Sequence, residues 1–167
     1  MLSHKQSVFS HAKILLVDDQ VDNLELLSTM LTSHDYEVSQ SDRGSLAIEL
    51  AQIDLPNLIL LDICMPEMDG YEVCRLLKSN DLTRDIPIIF ISAFKEIENK
   101  SQAFEIGGDD YITKPFYMKE VLLRVENQLK KHYLQSKLKA KNNHLQQEKS
   151  NLLEIEKELL SIIKNMI

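Results

Sequence analysis

A chain of 167 residues has room for one ordinary domain with its own core and for an appendage besides. Hydrophobic residues make up 44% and charged residues 27%, a globular balance, and no apolar run reaches the roughly eighteen residues of a membrane span. The net charge of −7 is unevenly spread: residues 1–129 hold 11 basic and 22 acidic side chains, residues 130–167 hold 8 and 4, so an acidic body carries a mildly basic tail. The N-terminal "MLSHKQSVFSHAK" lacks the apolar stretch of a secretion signal. Cys64 and Cys74 have neither metal-ligand spacing nor a second pair with which to build a disulfide framework. A cytoplasmic protein with no membrane contact is expected.

Residues 1–11 read as a flexible N-terminus. The first strand is "KILLVDD", followed by a helix over "VDNLELLSTMLTSH", where Leu24, Leu27, Met30 and Leu31 recur at three- and four-residue spacing. "YEVSQSD" is the second strand and "RGSLAIELAQI" the second helix. "NLILLD" and "GYEVCRLLKSN" form the third pair, and "IPIIFIS" the fourth strand. A fourth helix over "IENKSQAFEIGG" stops at Gly107-Gly108, as helices often do at glycine. The fifth strand is "DYITK", and a fifth helix begins near Tyr117. Three of the strands are continuously apolar instead of alternating, as parallel strands covered on both faces are. Strand–helix alternation with short links implies right-handed crossovers. The expected fold class is therefore α/β, a doubly wound five-stranded parallel sheet with an extended C-terminal helix.

In such a sheet ligands bind in the crevice outside the carboxyl ends of the strands. The first strand ends on Asp18 and Asp19, the third on Asp62, the fourth on Ser92 and the fifth on Lys114. An aspartate after one strand is commonly a turn former. Acids, a hydroxyl and an amine after four of five strands suggest one site. Two carboxylates about 4–5 Å apart repel by roughly 4 kcal/mol at an effective dielectric near 20, so either a proton or a cation must relieve them. Oxygen ligands without sulfur or imidazole suit Mg²⁺, and none of the five histidines falls at this edge, which argues against zinc. A divalent ion, a carboxylate nucleophile and a lysine that meets an anion together suit phosphoryl transfer to aspartate.

The segments "LVDDQ", "LLDICMPEMDG", "FISA" and "GGDDYITKPF" resemble the signature segments of response-regulator receiver domains of two-component signalling, over about residues 12–130. The resemblance implies a flavodoxin-like receiver in which Asp62 is the phosphoacceptor. It implies Mg²⁺ held by Asp18, Asp19, Asp62 and the backbone carbonyl of Cys64. Lys114 would pair with phosphoryl oxygens, and the Lys114-Pro115 bond would be cis. Ser92 would be the switching hydroxyl, with Tyr111 the aromatic that follows it, remodelling the surface of the fourth helix, fifth strand and fifth helix. The donor would be a sensor histidine kinase or phosphotransfer protein. The chain would then be a phosphorylation-dependent switch and no enzyme beyond its own phosphoryl transfer and slow dephosphorylation. Slow decay is expected because Cys64 and Phe94 stand where fast-hydrolysing members carry polar side chains that orient water.

Two rivals fall short. A phosphatase of the haloacid-dehalogenase kind needs an acid two residues after its nucleophile, whereas Asp62 is followed by Ile63 and Cys64, and Asp18 by Asp19 and Gln20. A phosphorylation-silent coiled-coil adaptor would not need the full set of acids, hydroxyl and lysine. An N-terminal receiver of a larger signalling enzyme is the remaining alternative.

From Lys119 onward there is neither Pro nor Gly. Leu138, Leu145, Leu152, Leu159 and Met166 recur every seven residues. Leu134, Ile155 and Ile162 hold the companion position, interrupted by Lys141 and Glu148. Residues 131–167 are thus expected to form a coiled-coil signalling helix that pairs as a parallel homodimer, with a linker to an output domain as its further expected role. Folding back on the receiver is the alternative. The lysines at 130, 131, 137, 139 and 141 read as a solvated face. No aromatic platform or helix-turn-helix accompanies them, so no direct nucleic-acid contact is expected.

Overall fold

The computed structural model describes residues 9–93 and 105–166. Five strands, β1 (Lys13–Val17), β2 (Glu37–Ser41), β3 (Leu58–Asp62), β4 (Ile88–Ala93) and β5 (Asp110–Lys114), form one sheet. Its order is β2-β1-β3-β4-β5 and every pairing is parallel. Among the described residues the helices are α1 (Val21–Thr32), α2 (Gly44–Asp54), α3 (Gly70–Ser79) and α4 (Met118–Met166). The fold is the doubly wound, flavodoxin-like arrangement, with a long C-terminal helix.

The apolar strands are buried on both faces because each face has its own helices. Ile14, Leu16, Leu58, Leu60, Ile89, Ile91 and Ile112 pack with Leu24, Leu27, Met30 and Leu31 of α1 and Val121, Val125 and Leu129 of α4. The alternate residues Leu15, Val17, Ile59, Leu61, Ile88 and Phe90 pack with Ala47 and Ala51 of α2 and Val73, Cys74 and Leu77 of α3. The period of two along each strand therefore sorts one continuous apolar run into two cores.

Near the N-terminus, Phe9 packs on the first of these cores and the His11 backbone N–H donates to the Asp35 carbonyl at 2.6 Å. The predicted fourth helix lies mostly outside the described residues. At its end Glu105 is helical, and Gly107 has φ of 104°, a conformation open to glycine. The fifth predicted helix is α4. Residues up to Lys130 form one compact unit and those from Lys131 another.

Candidate functional site

The parallel register brings the strand ends level. Val17 pairs with Leu61, so Asp18 and Asp62 each follow paired neighbours, and Asp62 itself pairs with Ile91, one residue before Ser92. Lys114 pairs with Ala93, two rows further on, and its long side chain reaches the acids. Its Nζ lies 3.0 Å from Asp18 Oδ2 and 3.1 Å from Asp62 Oδ1. Asp18, Asp62 and Ser92 are buried, whereas Asp19 is exposed. Carboxylate oxygens of Asp18, Asp19 and Asp62 all fall within 4.8 Å of one another.

Burial is the main reason the Asp62 carboxyl is pushed up from 3.8 to about 6, with the charge of Asp18 adding to it and Lys114 opposing it. Burial also works against charge on Lys114, but hydrogen bonds and charges from Asp18 and Asp62 outweigh that and raise its pKa, so it stays an ammonium. Three carboxyl groups face one ammonium, so acidic groups are in excess at this edge. A hard divalent cation fits both that excess and the all-oxygen donor set.

Second contacts hold these groups in place. Asp18 accepts from the Gln20 backbone N–H at 2.9 Å and from Asn23 Nδ2 at 3.0 Å, so the first turn of α1 fixes its carboxylate. Sequence reasoning did not single out Gln20 or Asn23. Gln20 donates through its backbone N–H, which residue type does not announce, and Asn23 reads as an ordinary polar residue at a helix start. After β3 the chain turns through Cys64, which is exposed, and Glu67 at φ 67°, before α3 begins. Asp69 caps α3 by accepting from the Glu72 N–H at 2.8 Å. A Cβ on Gly70 would collide with the Asp62 carbonyl and lie 2.9 Å from Ile63 Cα. Only glycine lets the helix start this close to the strand end that carries Asp62.

By strand alternation Ser92 and Tyr111 share the face of β4 and β5 that Phe90 occupies, and Tyr111 packs partly buried against the second core. The Arg124 guanidinium lies 5.5 Å from the Tyr111 ring centroid and pairs with Asp110 at 2.8 Å and Glu120 at 3.0 Å. Arg124, too, went unnoticed in the sequence, where it stood as one more charge on a helix. The Lys114-Pro115 peptide is cis. Phe94 lies outside the described residues. The structure thus brings Asp18, Asp19, Asp62 and Lys114 together, with Ser92 and Tyr111 on neighbouring strands and Cys64 in the adjoining loop.

The parallel sheet and its strand-end cluster of acids and lysine define a doubly wound α/β protein with an acidic site at the carboxyl edge. The chain belongs to the response regulator receiver domain family, whose profile matches residues 14–126. It is 46% identical over 104 residues to the response regulator PleD of Caulobacter vibrioides, covering 62% of this chain and 23% of that protein. It is 39% identical over 119 residues to the DNA-binding dual master transcriptional regulator RpaA of a Synechocystis species, covering 71% of this chain and 49% of that one. The solved signal receiver domain of a signal transduction histidine kinase from Syntrophus aciditrophicus superposes with a TM-score of 0.66 at 33% identity. That match covers 71% of this chain and 90% of the other. The chain spans about a quarter of PleD and about half of RpaA. No described helix is long and apolar enough to cross a membrane.

Proposed function

We propose that Asp62 accepts a phosphoryl group from a phosphohistidine on a sensor histidine kinase or phosphotransfer protein, in a Mg²⁺-dependent reaction in the cytoplasm. The observation that carries this reading is the Lys114 ammonium shared between Asp18 and Asp62 at one sheet edge. With its carboxyl at about 6, Asp62 is largely ionised at pH 7.5 and can act as a nucleophile. The donor P–N bond breaks as the O–P bond to Asp62 forms, and the bonding pair leaves on the imidazole. Asp18, Asp19, Asp62 and the Cys64 carbonyl would hold Mg²⁺, which would neutralise charge on the phosphoryl oxygens.

Lys114 then meets one of those oxygens and the Ser92 hydroxyl donates to another. Tyr111 follows Ser92 and alters the face of β5 and α4. Cys64 and Phe94 offer no strong group to orient an attacking water, so the phosphoform decays slowly. Residues 131–167 pair in parallel with a second copy and relay the change; the lysine face of this tail stays solvated and binds no nucleic acid.

Incubation of the native chain and Asp62→Ala with Mg²⁺ and a small acyl phosphate tests the reading by intact mass. One added phosphoryl group on the native chain alone is expected. No addition, or equal addition to both, refutes Asp62 as acceptor. Decay of that mass within seconds refutes the slow phosphoform.

A further inference from the structure

The last two heptads of α4 present more apolar surface than a two-stranded seam can cover. Leu152, Leu153, Ile155, Leu159, Leu160, Ile162, Ile163 and Met166 are 47–81% exposed. At about 100° per residue they span an arc of about 180°, broken only by Glu156, whereas the seam positions 152, 155, 159, 162 and 166 alone span about 80°. Leu153, Leu160 and Ile163 therefore remain in water when two helices pair.

Upstream, the seam is too poor to hold a pair by itself. Lys131, Leu134, Leu138, Lys141, Leu145 and Glu148 give it three apolar and three charged layers. Little apolar area is buried there against what a stable dimer needs. Association must come from residues 152–166, where the exposed apolar side chains concentrate.

The core chemistry of that segment points the same way. Leu152 to Ile155 is a step of three and Ile155 to Leu159 a step of four, which puts Leu152, Leu159 and Met166 at heptad position a and Ile155 and Ile162 at d. Leucine at a with isoleucine at d favours more than two strands, because β-branched d side chains pack poorly in a two-stranded core. A wide arc extending beyond a and d is the pattern of a bundle helix, not of a pair.

We propose that residues 152–166 assemble four copies of this chain into a four-helix bundle, with Leu153, Leu160 and Ile163 covered by the additional pair of helices. The inference rests on the paired tail proposed above and adds a second pair of helices to it. Sedimentation equilibrium of the full chain tests it. A mass four times the 19.3 kDa protomer is expected. The variant Leu153→Gln/Leu160→Gln/Ile163→Gln leaves the seam intact and is expected to halve that mass. A second variant, Leu152→Ile/Ile155→Leu/Leu159→Ile/Ile162→Leu, keeps every methylene while placing isoleucine at a and leucine at d, and is also expected to give two chains. A native mass of two or three chains, or four chains unchanged in both variants, overturns the bundle. A mass of two leaves the paired tail standing, whereas a single chain overturns both readings.

Discussion

Asp62 sits where burial and a neighbouring acid oppose its charge, and this has a measurable consequence for stability. Its carboxyl titrates near 6 in the folded protein against 3.8 for the exposed group, so between those values the folded chain holds the extra proton. Stability linked to that proton is fully present below pH 3.8 and is lost as pH rises through about 6. The loss is at most about 3 kcal/mol for a shift of this size. Asp62→Asn in chelator is thus expected to melt higher than the native protein above pH 6. The advantage should vanish near pH 4, and thermal melts across that range check it. At Cys74, burial pushes the thiol up to about 11, while Cys64 is exposed. Alkylation of the folded chain is expected to add one label, at Cys64, with the second appearing only in denaturant. Asp62 and Lys114 could be picked out from their positions at strand ends. The grip of Gln20 and Asn23 on Asp18 could not, because it depends on the angle at which α1 leaves β1.

Among the elements, α3 starts directly against the strand end that carries Asp62. Asp69→Ala removes its cap and is expected to cost about 1 kcal/mol in urea unfolding while leaving phosphorylation intact. Gly70→Ala forces a methyl against the Asp62 carbonyl. It is expected to cost about 1–3 kcal/mol and, unlike the cap variant, to slow phosphorylation, because relief requires the end of β3 to move. The five strands and the four described helices were legible from apolar runs, helical spacing and the lack of Pro and Gly after Lys119, to within a few residues at their ends. The dipeptide Asp69-Gly70 marked the turn. That Gly70 touches the strand end carrying Asp62 follows from the loop folding back across Ile63, whose carbonyl accepts from the Gly70 N–H at 2.9 Å.

For the whole molecule, the buried residues of α4 end at Leu129, and the compact unit that includes the strand-end site ends at Lys130. A chain stopped after Lys130 is therefore expected to keep its thermal midpoint and its uptake of phosphate while sedimenting as a single copy. A lower midpoint would mean that the tail contributes to the core. The proposed association through the tail would cover apolar residues that are exposed in the single chain.

Composition, periodicity and strand endings by themselves determined the α/β class, the parallel sheet and the set of groups at its carboxyl edge, because these depend on local spacing along one strand or helix. Only the tertiary structure decided that one ammonium serves both Asp18 and Asp62, that the Asp62 carboxyl is lifted to about 6, and that Arg124 lies over Tyr111. Those outcomes depend on register between strands distant in sequence and on how far packing excludes water, and neither quantity is carried by any single stretch of the chain.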